Sequence, residues 1–364
     1  MKRLLTILTL IPILCFPQSI LRMADSVRMT RGIPGMVYAA FSGDSVFEQG
    51  LCGYREVGTR KSIQYRDRFN IGTNAAAFTA YIAGVLIEKK KIDWTTKLLD
   101  VYPEAKKFAL PVYLKTTLLD LLSNQSHAPL LTTMDEWFRL PASDGSIVKQ
   151  RRDFTYFMLR QKPFVYNPLG GGQKINFSYA AFTMAASMLE KVSGKSWETL
   201  VDDLINKPLG ISVKFGWPAN TDSSAPLGHW QQAGSFHAEQ KNTWLQLSGI
   251  LNPSHNINIS LPDYIVFMQE NLNGLLGKKA HLTQETFQYL HFGILDYAMG
   301  WNNGSLEEYS YSFHEGKSPL FDCRAEIIKE KNLGIIVMCN SGDHDGRGGV
   351  LNLCRLIEEK YLTQ

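Results

Sequence analysis

Cysteine is scarce, with five in 364 residues. Cys52, Cys323, Cys339 and Cys354 lie beyond the N-terminal apolar run, too few for a disulfide scaffold, and three pairings would be open if all four were joined. Cys339 ends the apolar run Gly334 to Cys339 and reads as a buried free thiol. There is no Cys-x-x-Cys and no paired His and Cys spacing, so no metal site is expected. The run Asn167 to Gly172 lacks the Lys-Ser or Lys-Thr of a phosphate loop and reads as a turn. Asp343-His344-Asp345-Gly346 lacks the later ligands of a calcium loop and reads as a loop before the last helix. No cofactor is implied. A surplus of charge is also missing: the formal charge is +4, and without Lys2 and Arg3 it is +2 (36 basic, 34 acidic). Nucleic acid is therefore excluded as an expected partner. No Gly-x-Ser-x-Gly elbow occurs.

Long hydrophobic runs are absent except near the start. Leu4 to Phe16 is shorter than the roughly 20 residues of a membrane helix and contains Pro12, so no transmembrane helix is expected. With Lys2-Arg3 before it and Pro17-Gln18-Ser19 after it, residues 1 to 19 read as a signal peptide, an uncleaved anchor being the alternative. Secretion or export to a periplasm follows. Cys15 is preceded by Leu14 rather than by a small residue, which sets lipidation aside.

What is present is a globular composition, 45% hydrophobic and 20% charged, long enough for one large domain or two smaller ones. Ile20 to Arg31 has helical spacing and is broken by Pro34-Gly35. Met36 to Ser42 and Ser45 to Tyr54 read as a hairpin around Gly43-Asp44. The chain is organised around Phe69 to Lys91. Phe69-Asn70-Ile71 ends a strand, Gly72 turns, Thr73 or Asn74 caps, and Ala75-Ala76-Ala77 opens an apolar helix. Thr73 thus stands beside free N–H groups at a helix start.

The segment Phe-Asn-Ile-Gly-Thr-Asn-Ala-Ala-Ala-Phe-Thr-Ala resembles the Ser-x-x-Lys segment of serine β-lactamases and penicillin-binding proteins. Further landmarks follow in the family's order. They are Gly53-Tyr54, the passages at Lys91 to Pro103 and Thr116 to Ser126, the helix Ala180 to Ser193 closed by Gly194-Lys195-Ser196, Pro208-Leu209-Gly210-Ile211, and Tyr297 to Trp301 as a strand. The resemblance spans about Ile20 to Tyr361. It implies an α+β, β-lactamase/transpeptidase-like fold in one domain, residues 20 to 364. The antiparallel sheet comes from about 20–72 and 295–364, is covered by the N- and C-terminal helices, and a mainly helical region covers about 73–294.

At the motif positions the resemblance implies lost chemistry. Thr73 takes the nucleophile position and Ala76 the lysine position. Phe177 and Tyr179 take those of the family's Tyr-x-Asn. His314-Glu315-Gly316 takes the third motif, in which a His is accepted. The implied oxyanion hole uses the backbone N–H groups of Thr73 and about Lys317. A hydroxyl without a neighbouring base is a poor nucleophile. The expectation is a catalytically inactive homologue that binds a peptide, a cell-wall fragment or a protein partner. The alternative is an active esterase or peptidase using Tyr179 or His314 as base toward Thr73. A third reading is a purely structural protein, its cleft closed by Phe177 and Tyr179. Residues 130–165 are expected to be helical with interruptions. Residues 216–258, with Trp217, His229, Trp230 and Trp244, read as a packed loop rather than a substrate-shaping one. Ser260 and Asp263 start a helix, Phe321 to Ile328 and Leu333 to Asn340 read as strands, and Val350, Leu353, Cys354, Ile357 and Tyr361 form an apolar stripe.

Overall fold

A computed structural model describes residues 19–141, 143–165, 176–239 and 248–363. The longer helices and the strands are labelled here in chain order. They begin with α1 (Ile20–Thr30), β1 (Gly35–Phe41), β2 (Val46–Gly53), β3 (Arg68–Asn70) and α2 (Ala75–Glu88). Next come α3 (Ile147–Met158), α4 (Tyr179–Ser193), β4 (Lys214–Phe215), β5 (His229–Gln232), β6 (Ser235–Ala238) and β7 (Ile257–Ser260). The chain closes with α5 (Leu261–Leu275), α6 (Gln284–Phe292), β8 (Asn302–Leu306), β9 (Tyr309–Lys317), β10 (Asp322–Ile328), β11 (Leu333–Cys339) and α7 (His344–Leu362).

The main sheet has the order β2-β1-β11-β10-β9-β8, and its pairs are antiparallel. Met36 faces Cys339 and Asp322 faces Lys317. The period-2 alternation of β1 splits its side chains between two cores. Met36, Tyr38 and Ala40 join Ile20, Ala24 and Val27 of α1 and Val350, Leu353 and Ile357 of α7. Val37, Ala39 and Phe41 face the core that contains α2 and α5. Because β1 and the central strands β10 and β11 are covered on both faces, every residue in them is buried. The apolar stripe read in the last helix is the face that covers the sheet. Helix α2 is apolar all round and buried from Ala75 to Leu86, which fits an element surrounded by others.

The hairpin, the N-terminal helix and the last two strands lie where their periodicity places them. Ser260 caps α5, its Oγ accepting from the Asp263 N–H at 3.4 Å. All four described cysteines are free thiols. Three expectations need correction. Neither Thr73 nor Asn74 caps α2 with its side chain; a 3-10 turn, Gly72–Asn74, precedes the helix, and both side chains serve tertiary contacts instead. Tyr297 to Trp301 is not a strand beyond a bridge from Tyr297 to Asn302. Gly300 there adopts φ +79°, and a Cβ on it would lie 2.9 Å from the backbone of Ala76 and Ala77, so the segment bends to let α2 pass. Asp343-His344-Asp345-Gly346 is largely helix, because Asp343 caps α7 by accepting from the Gly346 N–H at 2.8 Å. Within 130–165 the helices are Met134–Phe138 and α3, with irregular chain between. Asn167 to Gly172 and Trp244 lie outside the described residues.

Candidate active-site cleft

The turn at Thr73 is fixed from two sides. β3 and β4 flank β7 in a three-stranded sheet, and the Ile71 N–H continues it to the Ile257 carbonyl at 3.1 Å. The Asn70 side-chain oxygen then accepts from the Gly72 N–H at 2.9 Å, which turns the chain. On the other side lies the end of β9. A Cβ on Gly72, at φ +51°, would run into the Lys317 carbonyl, and one on Gly316 into the Ile71 carbonyl. Only glycines allow this approach.

β8 pairs with β9 as far as Phe313, so the edge of β9 from His314 to Lys317 is left for the Thr73 turn. Ser318 donates its N–H to the Phe321 carbonyl at 3.1 Å, and Lys317 faces Asp322. In the antiparallel alternation, Glu315 and Lys317 then turn their backbone groups away from β10. Accordingly the Thr73 hydroxyl donates to the Glu315 carbonyl at 2.8 Å. Thr73 is 8% exposed.

Around this junction is a cleft of about 390 Å³ lined by Thr73, Thr132, Trp137, Phe177, Tyr179, His255, Glu315, Lys317, Ser318, Pro319, Gly342 and Arg347. One wall is aromatic. Phe177 stacks on Phe182 at 5.2 Å and stands edge-on to Tyr179 at 5.5 Å, while Tyr179 meets His255 at 5.1 Å. The Phe177-Ser178-Tyr179 turn is clamped from below. Ser178 donates its N–H to Asn124 and its hydroxyl to the Pro129 carbonyl, and the Tyr179 N–H reaches the Leu130 carbonyl.

The opposite wall is charged. Glu315 is held at 2.7 Å by Arg324 and at 2.6 Å by Arg347, and Lys317 is exposed. Asp322 is pushed up to about 8, chiefly by burial, with Arg347 pulling it back.

Of the residues expected at the site, Thr73, Phe177, Tyr179, Glu315 and Lys317 line the cleft. Ala76 is fully buried in α2 and contributes no polar atom. Gly316 supplies the close approach rather than a wall. His314 does not line the cleft: its Nδ1 donates to the Gly300 carbonyl, and its ring packs edge-on to Phe177 at 6.2 Å and Trp301 at 6.4 Å. Burial lowers its pKa to about 4, so the ring is neutral. Burial likewise raises the Tyr179 hydroxyl well above its ordinary value.

The sequence reading missed Trp137, His255 and Arg347. Trp137 is placed by the capping box of Thr133 and Glu136 and by its indole N–H on the Leu131 carbonyl at 2.6 Å. That box was visible as Thr-x-x-Glu. Arg347 lies in the first turn of α7, after the Asp343 cap. His255 belongs to the stretch read as a packed loop. Most of that stretch does pack, with His229 taking the Val57 N–H on Nε2 at 3.0 Å and Trp217 stacked on Phe321 at 5.9 Å. His255, however, lines the cleft as a neutral ring, its pKa lowered to about 3 by burial. Among the described residues no cluster of His, Cys, Asp and Glu could hold a metal ion, and no helix is long and apolar enough to cross a membrane.

The family model for beta-lactamase matches residues 22–353. The chain belongs to the beta-lactamase family. No curated protein matches it in sequence. Its fold is similar to that of the class C beta lactamase from Rhodobacter sphaeroides, at 15% identity and TM-score 0.69 over 93% of this chain and 99% of that one. It is also similar to SurE, at 17% identity and TM-score 0.71 over 94% of this chain and 75% of that one. The octameric penicillin-binding protein homologue from Pyrococcus abyssi gives 17% identity and TM-score 0.71, over 93% and 76%. The beta-lactamase/transpeptidase-like fold is thus established.

Proposed function

We propose that this member of the beta-lactamase family is a secreted or periplasmic binding protein without acyl-enzyme chemistry. The observation that carries the reading is that the Thr73 hydroxyl donates to the Glu315 carbonyl at 2.8 Å while Ala76 stands where a lysine would act. The proton that a base would have to remove is held by a backbone acceptor. General-base catalysis contributes roughly 10²- to 10⁴-fold, and loss of a nucleophile or its base costs roughly 10⁶. Phe177 has no hydroxyl to relay a proton. Thr73 also carries a methyl that narrows its rotamers.

Backbone donors survive side-chain replacement. The N–H of Thr73 at the helix start and that of Lys317 on the free edge of β9 form the oxyanion pair of this proposal and suit a carbonyl or carboxylate oxygen. Lys317 adds a cation, and Trp137, Phe177 and Tyr179 an apolar wall. The ligand class we infer is a peptide or cell-wall fragment with a carbonyl or carboxylate end, or a protein segment of that chemistry. Export rests on Lys2-Arg3 and the apolar run Leu4 to Phe16. The competing reading, a working esterase or peptidase, needs a base. His314 is turned to the Gly300 carbonyl, and Tyr179 is held in its protonated form by burial.

Calorimetric titration tests the binding reading. One solved SurE structure contains D-Leu, so D-Leu and short peptides with a free carboxylate are the first probes. Binding that weakens in Lys317→Ala is expected. Heat unchanged by that substitution, or turnover of the peptides, would contradict the proposal.

A further inference from the structure

Glu326 on β10 is fully buried, and its Oε2 has no hydrogen bond of good geometry among the described residues, although the Tyr311 hydroxyl lies beside the same carboxyl. A bare buried carboxylate oxygen is costly. Its other oxygen takes the Arg324 Nε–H. The carboxyl of Glu358, on α7, lies within hydrogen-bond reach of Glu326, and its Oε1 accepts from the Tyr311 hydroxyl at 3.3 Å. A proton carried by Glu358 and donated to Glu326 Oε2 satisfies the orphaned oxygen and removes the repulsion of two carboxylates in one site.

Every group that faces this pair belongs to one network. Arg324 donates from Nη2 to the Tyr311 hydroxyl at 2.7 Å and from Nη1 to Glu315 at 2.7 Å, and its guanidinium lies over the Phe313 ring at 4.2 Å. Glu315 continues to Arg347 at 2.6 Å, back on α7. The buried Cys354 thiol is the remaining titratable neighbour. α1 and β11 offer the same core apolar side chains, Ile20, Ala24 and Val27, and Leu333, Ile335 and Val337. The ring of contacts therefore runs from α7 at Glu358 through Glu326, Arg324 and Glu315 to α7 at Arg347, and two of its members line the cleft.

We propose that Glu326 and Glu358 form a proton-sharing latch between β10 and α7, and that loss of the shared proton loosens the Glu315 and Arg347 wall of the cleft. Burial and the neighbouring Glu326 raise the Glu358 carboxyl well above the ordinary carboxylate range, so the latch opens only as the pH rises past that range. When it opens, two negative charges compete with Glu315 for Arg324. Glu315 is then left to Arg347 alone. The functional weight of the latch rests on the proposed role of the cleft, but its test uses no ligand, so the two readings fail separately.

The experiment is a carboxyl-carbon NMR titration of the glutamate-labelled protein, joined to hydrogen exchange of the peptide covering residues 340–351. One glutamate carboxyl is expected to titrate well above the ordinary value of about 4.3, and its signal to vanish in Glu358→Gln. In Tyr311→Phe the same signal moves to higher pH, because the Tyr311 hydroxyl favours the charged form. That second variant assigns the signal if the first does not fold. Exchange at 340–351, corrected for intrinsic rate, rises across the transition in the wild type and stays flat in Glu358→Gln. Burial raises the Asp322 carboxyl as well, so the difference between wild type and variant is the readout. Absence of any glutamate carboxyl titrating above about pH 6 overturns the latch. A titration without the exchange change overturns its link to the cleft.

Discussion

Placing a lysine at position 76 separates a cleft that merely lacks its base from one rebuilt around the loss. Ala76 is fully buried, and its backbone is crossed so closely by Gly300 that a Cβ there would sit at 2.9 Å. A fully buried lysine loses up to about 3–5 pKa units, so its folded pKa falls to about 5.5–7.5 against an unfolded value of about 10.4. Between those values the unfolded chain binds the extra proton, so the penalty is present at neutral pH and fades as pH rises. At about pH 7 it is about 4 kcal/mol, at 1.36 kcal/mol per unit, with about 1–3 kcal/mol more for over-packing. Ala76→Met carries only the packing cost. Urea unfolding followed by circular dichroism at about pH 7 and about pH 9.5 should show Ala76→Lys several kcal/mol below Ala76→Met at the lower pH and within about 1 kcal/mol of it at the higher. Equal stability of the two variants at neutral pH would mean that a lysine still finds its partners, and the reasoning would fall.

Other perturbations bear on the same structure. Thr73→Val should cost about 0.5–1.5 kcal/mol by removing one hydrogen bond while keeping shape; a loss above about 3 kcal/mol would show that the hydroxyl has partners beyond the Glu315 carbonyl. Arg151 is fully buried and joined to Glu190 at 2.6 Å and to Glu198, so Arg151→Met, by stranding Glu190, should cost about 3–5 kcal/mol, and a neutral outcome in thermal melts would refute the ion-pair account. Four buried histidines, His229, His255, His291 and His314, have pKa values lowered by burial to about 4, 3, 3 and 4. The unfolded chain binds their protons first, so stability should fall as pH drops from about 6.5 toward 4; a urea midpoint that holds steady over that window would contradict their neutral burial. Gly300→Ala places a side chain at φ +79° against α2 and should cost more than about 1 kcal/mol, read as a drop in Tm.

The fold was legible because its landmarks are local and ordered. The Gly-Thr-Asn turn, the α4 helix with its Gly194 terminus and the two apolar strands before α7 each declare themselves within a dozen residues, and their order fixes the topology. Of the candidate cleft, the lining residues that sit on those landmarks, Thr73, Phe177, Tyr179, Glu315 and Lys317, were legible. What lay hidden depends on long-range packing. His255 reaches the cleft only because β7 pairs with β3, and nothing in Pro253-Ser254-His255 announces that. Arg347 points to Glu315 because Asp343 starts α7 one residue later. His314 fits the motif in letters, yet the bend at Gly300 supplies a carbonyl that takes its Nδ1–H, and Phe177 flanks its ring. Capping by Thr73 or Asn74 failed for a related reason: both side chains found tertiary partners, the Glu315 carbonyl for one and the Tyr264 hydroxyl at 2.9 Å for the other.

The central claim is that this cleft binds without acylating. Intact-protein mass spectrometry after incubation with a β-lactam and with a fluorophosphonate, on protein shown to be folded, tests it most directly. The account predicts an unchanged mass with both reagents. A stable adduct that maps to Thr73 and disappears in Thr73→Ala would contradict it, and would mean that a base other than a lysine at position 76 serves this hydroxyl.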